Sequence, residues 1–359
     1  DFPMKNAHQS SNNGRGEAYL VKMDQNGGII WSTYFGGNDR EILSGLGVNK
    51  QGDVYITGLT ETYSGLATSG AFQTTQNSSW DGYLAKFDSS GSREWSTYYG
   101  GDDLDNPKSL ATDGHGNVYF AGVTRSSSQM GTAGSYQPSY DGSQSGGNYN
   151  GFLAKFDSLG NRLWGTYFGK NGSCISTGVT TDRQGNAFIT GRGNGAPTKN
   201  AYQQTANGGH EAYFSKFSPS GHLIFSTFYG GSSNDHYVNH AKMVTDKAGR
   251  LIACGRTKSS DLPLKNPVQG TYGGNEDGFA VIYDSSGKMV FSTYWGGNGQ
   301  DYFRDAAISP NGFLLFAGAT KSTNLNTQAP SSSYYTQSAN NGGMDFYLLR
   351  LDPICDLNA

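Results

Sequence analysis

Short apolar runs recur along the whole chain and are separated by tight polar turns. Four runs fill one period; in one part of the chain they read GYLAKFD (82–88), REWSTYY (93–99), SLATD (109–113) and NVYFAGVT (117–124). Their aromatic and β-branched content favours strands over helices. A phrase of the type WSTYFGG begins at Trp31, Trp95, Trp164, Phe225 and Phe291, with spacings of 61 to 69 residues. A period of this length predicts a repeat architecture.

Two kinds of polar turn join the predicted strands. The turn between SLATD and NVYFAGVT is DGHGN from Asp113, and an Asp-x-x-Gly turn from Asp88 joins GYLAKFD to REWSTYY. In such a turn the carboxylate accepts turn N–H groups, and the glycine takes the positive φ that closes a hairpin. We therefore expect these Asp and Gly residues to be architectural.

The order of the runs predicts an all-β fold. Repeated units of four antiparallel strands leave exposed edges unless the units close radially, as in a β-propeller. Each unit of about 66 residues is then a four-stranded antiparallel blade with strands A to D from the centre outwards. The recurring phrase is the outer strand D, followed by the return to the next blade.

The number of strands predicts six blades, while five to seven remain open. Five D strands and five A–B pairs accompany six C strands, which lie near Tyr19, Tyr83, Phe152, Tyr213, Phe279 and Tyr347. We expect the chain to be a fragment, preceded by a D-A-B set of about 40 residues. The predicted propeller domain covers residues 1–352, with a tail at 353–359. Its repeats are 36–99, 100–168, 169–229, 230–295 and 296–352, and residues 1–35 form a partial blade.

The repeat resembles the bacterial β-propeller repeat family SBBP. The resemblance is carried by GYLAKFDSSGSREWSTYYGGDDLD (82–105), SLATDGHGNVYFAGVT (109–124) and SGAFQTT (69–75), and it extends over nearly the whole chain. GKNGSC (169–174) departs from the Gly-Gly return, so the third junction is expected to differ in shape. The resemblance favours seven blades. It implies an interaction module of secreted or cell-surface proteins, notably of Bacteroidetes, and brings no catalytic residues.

Charge and cysteine content exclude several classes of function. Lys and Arg number 26 against 29 Asp and Glu, a net charge of −3 without runs of either sign, so we expect no nucleic-acid partner. No apolar stretch reaches the roughly 18 residues that span a bilayer, so no membrane insertion is predicted. Cys174, Cys254 and Cys355 lack the spacing of a zinc site or a disulfide framework. Cys254 lies in the apolar run RLIACGRT and is expected to be buried.

The long B–C loops are the predicted ligand-binding surface. They run to about 20 residues and vary between repeats, and variable loops on a rigid scaffold commonly carry binding. Aromatic residues in and beside them could stack on sugar rings or pack the loops on one another. These candidate ligand-binding residues are Tyr63, Trp80, Tyr136, Tyr140, Tyr149, Tyr202 and Tyr334.

Two further residue types repeat at the loops. A glutamine recurs at Gln9, Gln73, Gln137, Gln203, Gln269 and Gln337. A side-chain amide can tie a loop backbone at both its donor and its acceptor end, so we favour a structural role over a ring of ligand contacts. An acid recurs in the D–A return at Glu41, Asp105, Asp235 and Asp301. Capping of the return is favoured over calcium binding, because one carboxylate per blade is sparse.

The fourth return, SSNDHYVNHAKM (232–243), contains a cluster of chemically active side chains. Asp235, His236 and His240 are candidate metal or ligand contacts, since side chains four apart on a strand share a face. Solvated or locally hydrogen-bonded histidines are the favoured alternative. We predict no metal and no cofactor overall, with calcium the weak exception.

Three functions remain open on the sequence. We favour a non-catalytic binding or adhesion module, secreted or at the bacterial cell surface, with a protein or glycan ligand and with neighbouring domains of a larger protein. A carbohydrate-active enzyme, a glycosidase or lyase, is the alternative, although no Ser-His-Asp, HExxH or nucleotide-binding motif stands out. The third is a rigid spacer within a large adhesin.

Overall fold

The structure is a computed structural model that describes residues 2–141, 149–170, 173–236, 243–326, 340 and 342–352, with His236 described by its backbone only. These residues form 22 β-strands and no α-helix. In the same ranges there is no helix that could span a membrane. The expected all-β class is confirmed.

The strands form six antiparallel sheets, which we call blades 1 to 6 in chain order. Blade 1 contains β1 (Ala18–Met23) and β2 (Ile29–Phe35), and blade 2 contains β3 (Glu41–Val48), β4 (Val54–Thr60), β5 (Asp81–Phe87) and β6 (Arg93–Tyr99). Blade 3 contains β7 (Asp105–Thr112), β8 (Val118–Thr124), β9 (Asn150–Phe156) and β10 (Arg162–Phe168). Blade 4 contains β11 (Cys174–Thr181), β12 (Ala187–Gly193), β13 (Ala212–Phe217) and β14 (Leu223–Tyr229).

The last two blades differ in detail from the middle ones. Blade 5 contains β15 (Asp235–His236), β16 (Met243–Thr245), β17 (Leu251–Thr257), β18 (Asp277–Tyr283) and β19 (Met289–Trp295). Both β15 and β16 pair with β17, so together they take the place of strand A. Blade 6 contains β20 (Asp301–Ile308), β21 (Leu314–Thr320) and β22 (Asp345–Leu351). The described strands thus reproduce the predicted six C strands, five D strands and five A–B pairs.

Apart from the pairing of β15 with β17, neighbouring strands within a blade are consecutive in sequence, and the register repeats between blades. Pairing of C with D shifts by one residue at Lys22/Met23 in blade 1 and at the matching position Lys86/Phe87 in blade 2. The predicted Asp-x-x-Gly turns are present. Asp113 accepts from the N–H groups of His115 at 2.8 Å and Asn117 at 2.9 Å, and Gly116 has a φ of 85°.

Apolar side chains from adjacent blades form the core. Every residue of the central strands β4, β5, β8, β9 and β18 is buried. Tyr99 of blade 2 packs against Phe120, Phe152 and Phe156 of blade 3, with ring centroids 4.8 to 5.9 Å apart. Central strands buried on both faces explain why their sequences read as continuous apolar runs rather than as alternating ones.

The chain divides into two compact units. One comprises Asp1–Ala187 and Ser218–His222, and the other comprises Phe188–Phe217 and Leu223–Ala359. The first contains blades 1 to 3. The second contains blades 5 and 6.

Candidate functional site

In blades 1 to 5 the long B–C loop lies against the outer edge of strand D. The N–H of Thr68 donates to the carbonyl of Ser96 at 2.9 Å, and the N–H of Thr132 donates to the carbonyl of Gly165 at 2.9 Å. Lys5, Lys199 and Lys265 form isolated β-bridges to strand D at the matching positions of their blades. The loops therefore cover edge strands that would otherwise be open to pairing with another chain.

A glutamine fastens each loop to the D–A return. The Gln73 amide donates to the carbonyl of Thr75 at 2.9 Å and accepts from the N–H of Gly100 at 3.0 Å. Equivalent bonds to the return are made by Gln9, Gln137, Gln203 and Gln269. The predicted structural role of these glutamines is confirmed, and Gln337 lies outside the described residues. We call this arrangement the glutamine clasp.

The return acids cap the return, as predicted, and each has a partner that the sequence analysis missed. Asp105 accepts from the N–H of Gly101 at 2.7 Å and from the hydroxyl of Ser126 at 2.7 Å. A second acid lies at the start of strand C in the preceding blade or one residue before it. Beside Gly36 and Gly230 both carboxyl groups converge on the space that a glycine Cβ would take. The four return pairs, as we call them, are Glu17–Glu41, Asp81–Asp105, Glu211–Asp235 and Asp277–Asp301.

The return pairs explain the Gly-Gly of the recurring phrase. A Cβ on Gly36 would lie 2.3 Å from Cγ of Glu17 and 2.4 Å from Oε2 of Glu41. The N–H of the next residue, Gly37, donates to Glu41 at 3.0 Å. The first glycine therefore leaves room for the carboxylates, and the second brings its N–H close to one of them. The missed signal was an acid that recurs just before the C-strand aromatic, as Asp81 does before Tyr83.

Burial raises the pKa of at least one carboxyl group in each return pair. Desolvation raises the pKa of Asp105 to about 7, opposed by hydrogen bonds from Thr124, Ser126 and Gly101, and the nearby Asp81 raises it further. Desolvation likewise raises the pKa of Asp277 to about 6, with Asp301 contributing in the same direction. Two buried carboxyl groups so close to each other do not ionise together easily.

The third junction carries an uncharged version of the pair. Asn150 and Cys174 stand where the other junctions have two acids, and both are buried. A Cβ on Gly169 would lie 2.9 Å from the Cβ of Cys174 and 3.1 Å from Oδ1 of Asn150, so the side chains meet at the same place. The predicted departure at GKNGSC is thus accompanied by two replacements: both acids of the pair, one before and one after the return, are replaced by uncharged residues.

The metal hypothesis stays a prediction. Within the described residues no group of three or more His, Cys, Asp or Glu side chains is placed to hold a metal ion. Asp235 accepts from the N–H of Gly231 at 2.7 Å and from the hydroxyl of Ser259 at 2.7 Å. His240 and the side chain of His236 lie outside the described part.

The predicted aromatic residues separate into two groups. Tyr63 and Tyr202 are 68% and 50% exposed. Trp80, Tyr136, Tyr140 and Tyr149 are half-buried. Tyr140 packs edge-on against Tyr167, with ring centroids 5.7 Å apart, and Arg125 lies over the ring of Tyr149. Tyr334 lies outside the described residues. Of the described aromatics, Tyr63 and Tyr202 are therefore the best placed to meet a ligand.

Strand D also contacts the following blade through its first aromatic residue. The indole N–H of Trp31 donates to the carbonyl of Ser89 at 3.2 Å, and that of Trp95 donates to Ser158 at 2.9 Å. Each indole covers a turn glycine, and a Cβ on Gly91 would lie 2.7 Å from the ring of Trp31. The aromatic residue that begins the recurring phrase is thus an inter-blade contact.

Two segments of the chain match the β-propeller repeat family SBBP, namely residues 94–127 and 163–197. Both segments are similar to the SBBP β-propeller repeat. The matched segments run from strand D of one blade through strands A and B of the next, and they include the return and the first residue of strand A, Asp105 or Cys174. The six antiparallel sheets are accordingly propeller blades.

The chain is also similar to a curated protein and to solved structures. It is 23% identical over 330 residues to the regulatory protein FlaEY of Caulobacter vibrioides, covering 85% of this chain but 33% of that protein. It matches the β-propeller domain of the trilobed protease from Pyrococcus furiosus at 9% identity and a TM-score of 0.38, covering 86% and 68% of the two chains. A gluconolactonase from Xanthomonas campestris matches at 10% identity and a TM-score of 0.34, covering 76% and 68%.

Proposed function

We propose that this protein is a non-catalytic binding module, secreted or displayed on a bacterial cell surface, whose B–C loops hold a protein or glycan ligand. One observation carries the proposal: hydrogen bonds within the chain hold the described parts of the loops in place. The glutamine clasp and the bonds to strand D hold the loop backbone, while Tyr63 and Tyr202 remain exposed. A preformed surface loses little conformational entropy when it binds, so its exposed aromatic groups are well suited to recognition.

The chain is proposed to act as one part of a larger protein. It spans a third of the length of its curated relative, and the binding surface would then be presented next to other domains. The proposal needs no cofactor.

Substitution of the exposed loop aromatics tests the proposal. Tyr63→Ser and Tyr202→Ser should weaken binding to a glycan array or to purified cell-surface proteins, because each removes contact area and leaves the clasp intact. Val48→Ser is the matched control, since Val48 is 52% exposed but ends strand β3, outside the B–C loops. Equal loss of binding in all three variants would contradict the assignment to the loops. No binding by the parent protein would favour the spacer, and turnover of a glycan would favour the enzyme.

A further inference from the structure

A polar groove opens beside Trp95, between strand D of blade 2 and the C–D turn of blade 3. Its volume is about 630 Å³, within the range typical of small-molecule sites. One wall is the loop segment Thr68–Ala71, the floor includes Trp95 and Thr97, and the other wall is the turn at residues 158–161. We call it the Trp95 groove.

The groove exposes a tryptophan that other blades hide. Trp31 and Trp164 occupy the same strand position in blades 1 and 3 and are only 2% and 7% exposed. Trp95 is half-buried, and its indole N–H is fixed by the carbonyl of Ser158 at 2.9 Å. The ring is therefore held in one orientation while part of it remains accessible at the groove.

Blades 2 and 3 have a threonine, Thr68 and Thr132, at the loop position where blades 1, 4 and 5 have a lysine. In blades 1 and 4 the residue paired with strand D is a lysine, and the ammonium groups of Lys5 and Lys199 reach along the strand to the carbonyls of Ile29 at 2.6 Å and Leu223 at 2.7 Å. In blade 2 the corresponding residue is Thr68, which makes the same backbone bond with a much shorter side chain. A lysine in place of Thr68 would extend along strand D at the edge of the groove.

Ion pairs hold the charged groups at the groove in place. The ammonium of Lys86 lies 2.6 Å from the Glu94 carboxylate and 3.1 Å from that of Asp53. Glu94 lines the groove and is 43% exposed, whereas Lys86 and Asp53 are largely buried. One cation between two carboxylates leaves the local charge negative, which disfavours phosphate, sulfate or acidic sugars.

From these features we infer that the Trp95 groove binds a neutral sugar residue of a glycan. An aromatic face suits the C–H face of a pyranose, and carboxylate, amide and hydroxyl groups suit its hydroxyls. Glu94 would accept hydroxyl hydrogen bonds, and Asn161 and Ser69 flank the opening. The inference rests on the proposed binding function and narrows its ligand to a glycan.

Two substitutions test the groove while preserving the fold. Trp95→Phe reduces the aromatic face, and the fold tolerates phenylalanine there because Phe225 and Phe291 hold the matching position in β14 and β19. Thr68→Lys introduces the lysine of blades 1 and 4 at the edge of the groove. Trp31→Phe is the matched control at a buried tryptophan.

Neutral glycans on an array, followed by titration calorimetry with the best binder, provide the measurement. We expect Trp95→Phe and Thr68→Lys to weaken binding by about tenfold or more and Trp31→Phe to leave it unchanged. Glycan binding that is insensitive to both groove variants would overturn the groove and leave the proposed function standing. Absence of glycan binding would overturn the groove, while binding of a purified cell-surface protein would still support the proposed function. Binding of a lysine-rich peptide that depends on Trp95, with no glycan bound, would overturn the sugar assignment.

Discussion

At the scale of single residues, the return pairs connect folding to pH. Asp105 is fully buried, and its pKa of about 7 lies above the value near 4 of an unfolded aspartate. The folded state therefore binds a proton more tightly than the unfolded state does. The stabilisation from this group is complete below about pH 4 and is lost as pH rises through about 7.

Asp105→Asn should flatten the pH dependence of stability. In the parent protein the free energy of unfolding is expected to fall by roughly 2 kcal/mol more between pH 5 and pH 8 than in the variant, because the variant has no proton to lose. Urea unfolding at several pH values measures the difference.

Asp88→Asn is the control for this experiment. Desolvation raises the pKa of Asp88, but hydrogen bonds from Ser90 and Ser92 outweigh it and hold this pKa below its usual range. Stabilisation from a group of this kind is lost only as pH falls below about 4. The slope between pH 5 and pH 8 should therefore match that of the parent, and a steeper slope in Asp105→Asn than in the parent would refute the assignment.

The glutamine clasp gives a second prediction at this scale. Gln73→Leu leaves the buried N–H of Gly100 without its acceptor, so we expect a loss of about 1–3 kcal/mol in the free energy of unfolding. Gln51→Leu, at an exposed position in an A–B turn, should change stability little. Chemical denaturation compares the two, and equal midpoints would contradict the clasp.

At the scale of the strand and its turn, the contact of strand D with the next blade determines how much a glycine-to-alanine substitution in the turn costs. Gly91 and Gly70 have φ angles of 91° and 77°, so alanine is strained at both. A Cβ on Gly91 would meet the ring of Trp31, whereas one on Gly70 would meet nothing within 4 Å. Comparing alanine at the two positions therefore separates the stability cost of backbone strain from that of steric contact.

Gly91→Ala should cost more stability than Gly70→Ala. We expect about 1 kcal/mol for Gly70→Ala from the backbone alone and about 3 kcal/mol for Gly91→Ala, where displacement of the indole adds to the strain. Thermal unfolding of both variants gives the comparison. Similar costs would mean that the Trp31 contact contributes little.

Strand identity and order could be read from the sequence because each is a local property. Aromatic and β-branched runs, Asp-x-x-Gly turns and the repeat period predicted every described C and D strand, and the clasp followed from the chemistry of an amide. The pairing of Asp81 with Asp105 could not be derived from local pattern, because it depends on how two adjacent blades meet. The path of the B–C loop along strand D escaped the sequence for the same reason.

The candidate ligand-binding surface was less predictable than the fold. Exposure distinguishes Tyr63 from Tyr140, yet both are tyrosines in loops of similar composition. Packing on Tyr167 removes the second from solvent, and that contact spans the loop and strand D. The opening beside Trp95 is lined by a loop, a strand and a turn that are distant in sequence, so it becomes visible only in the folded structure.

At the scale of the whole molecule, local stability should vary between blades. Strand β5 is buried throughout and pairs with strands on both sides, whereas β22 pairs with β21 and carries Phe346 at 90% exposure. Backbone amides that lack buried neighbours open more readily.

Hydrogen exchange should reveal this gradient. Amides of β5 and β18 are expected to exchange at least about tenfold more slowly than those of β22, because central strands open only with their blade. Mass spectrometry of peptic fragments makes the measurement. Uniform protection across the three strands would show that β22 is as well supported as the middle blades.

The matched change at the third junction has a consequence for protein engineering. Asn150 begins strand C of one blade and Cys174 begins strand A of the next, so the two halves of each return pair belong to different repeats. If two repeats were recombined with the crossover inside the return, strand C would come from one parent and the next strand A from the other. An aspartate from one parent would then lie beside a cysteine from the other. Crossover points placed inside the B–C loop, upstream of strand C, would keep both halves on one parental segment and preserve the junction.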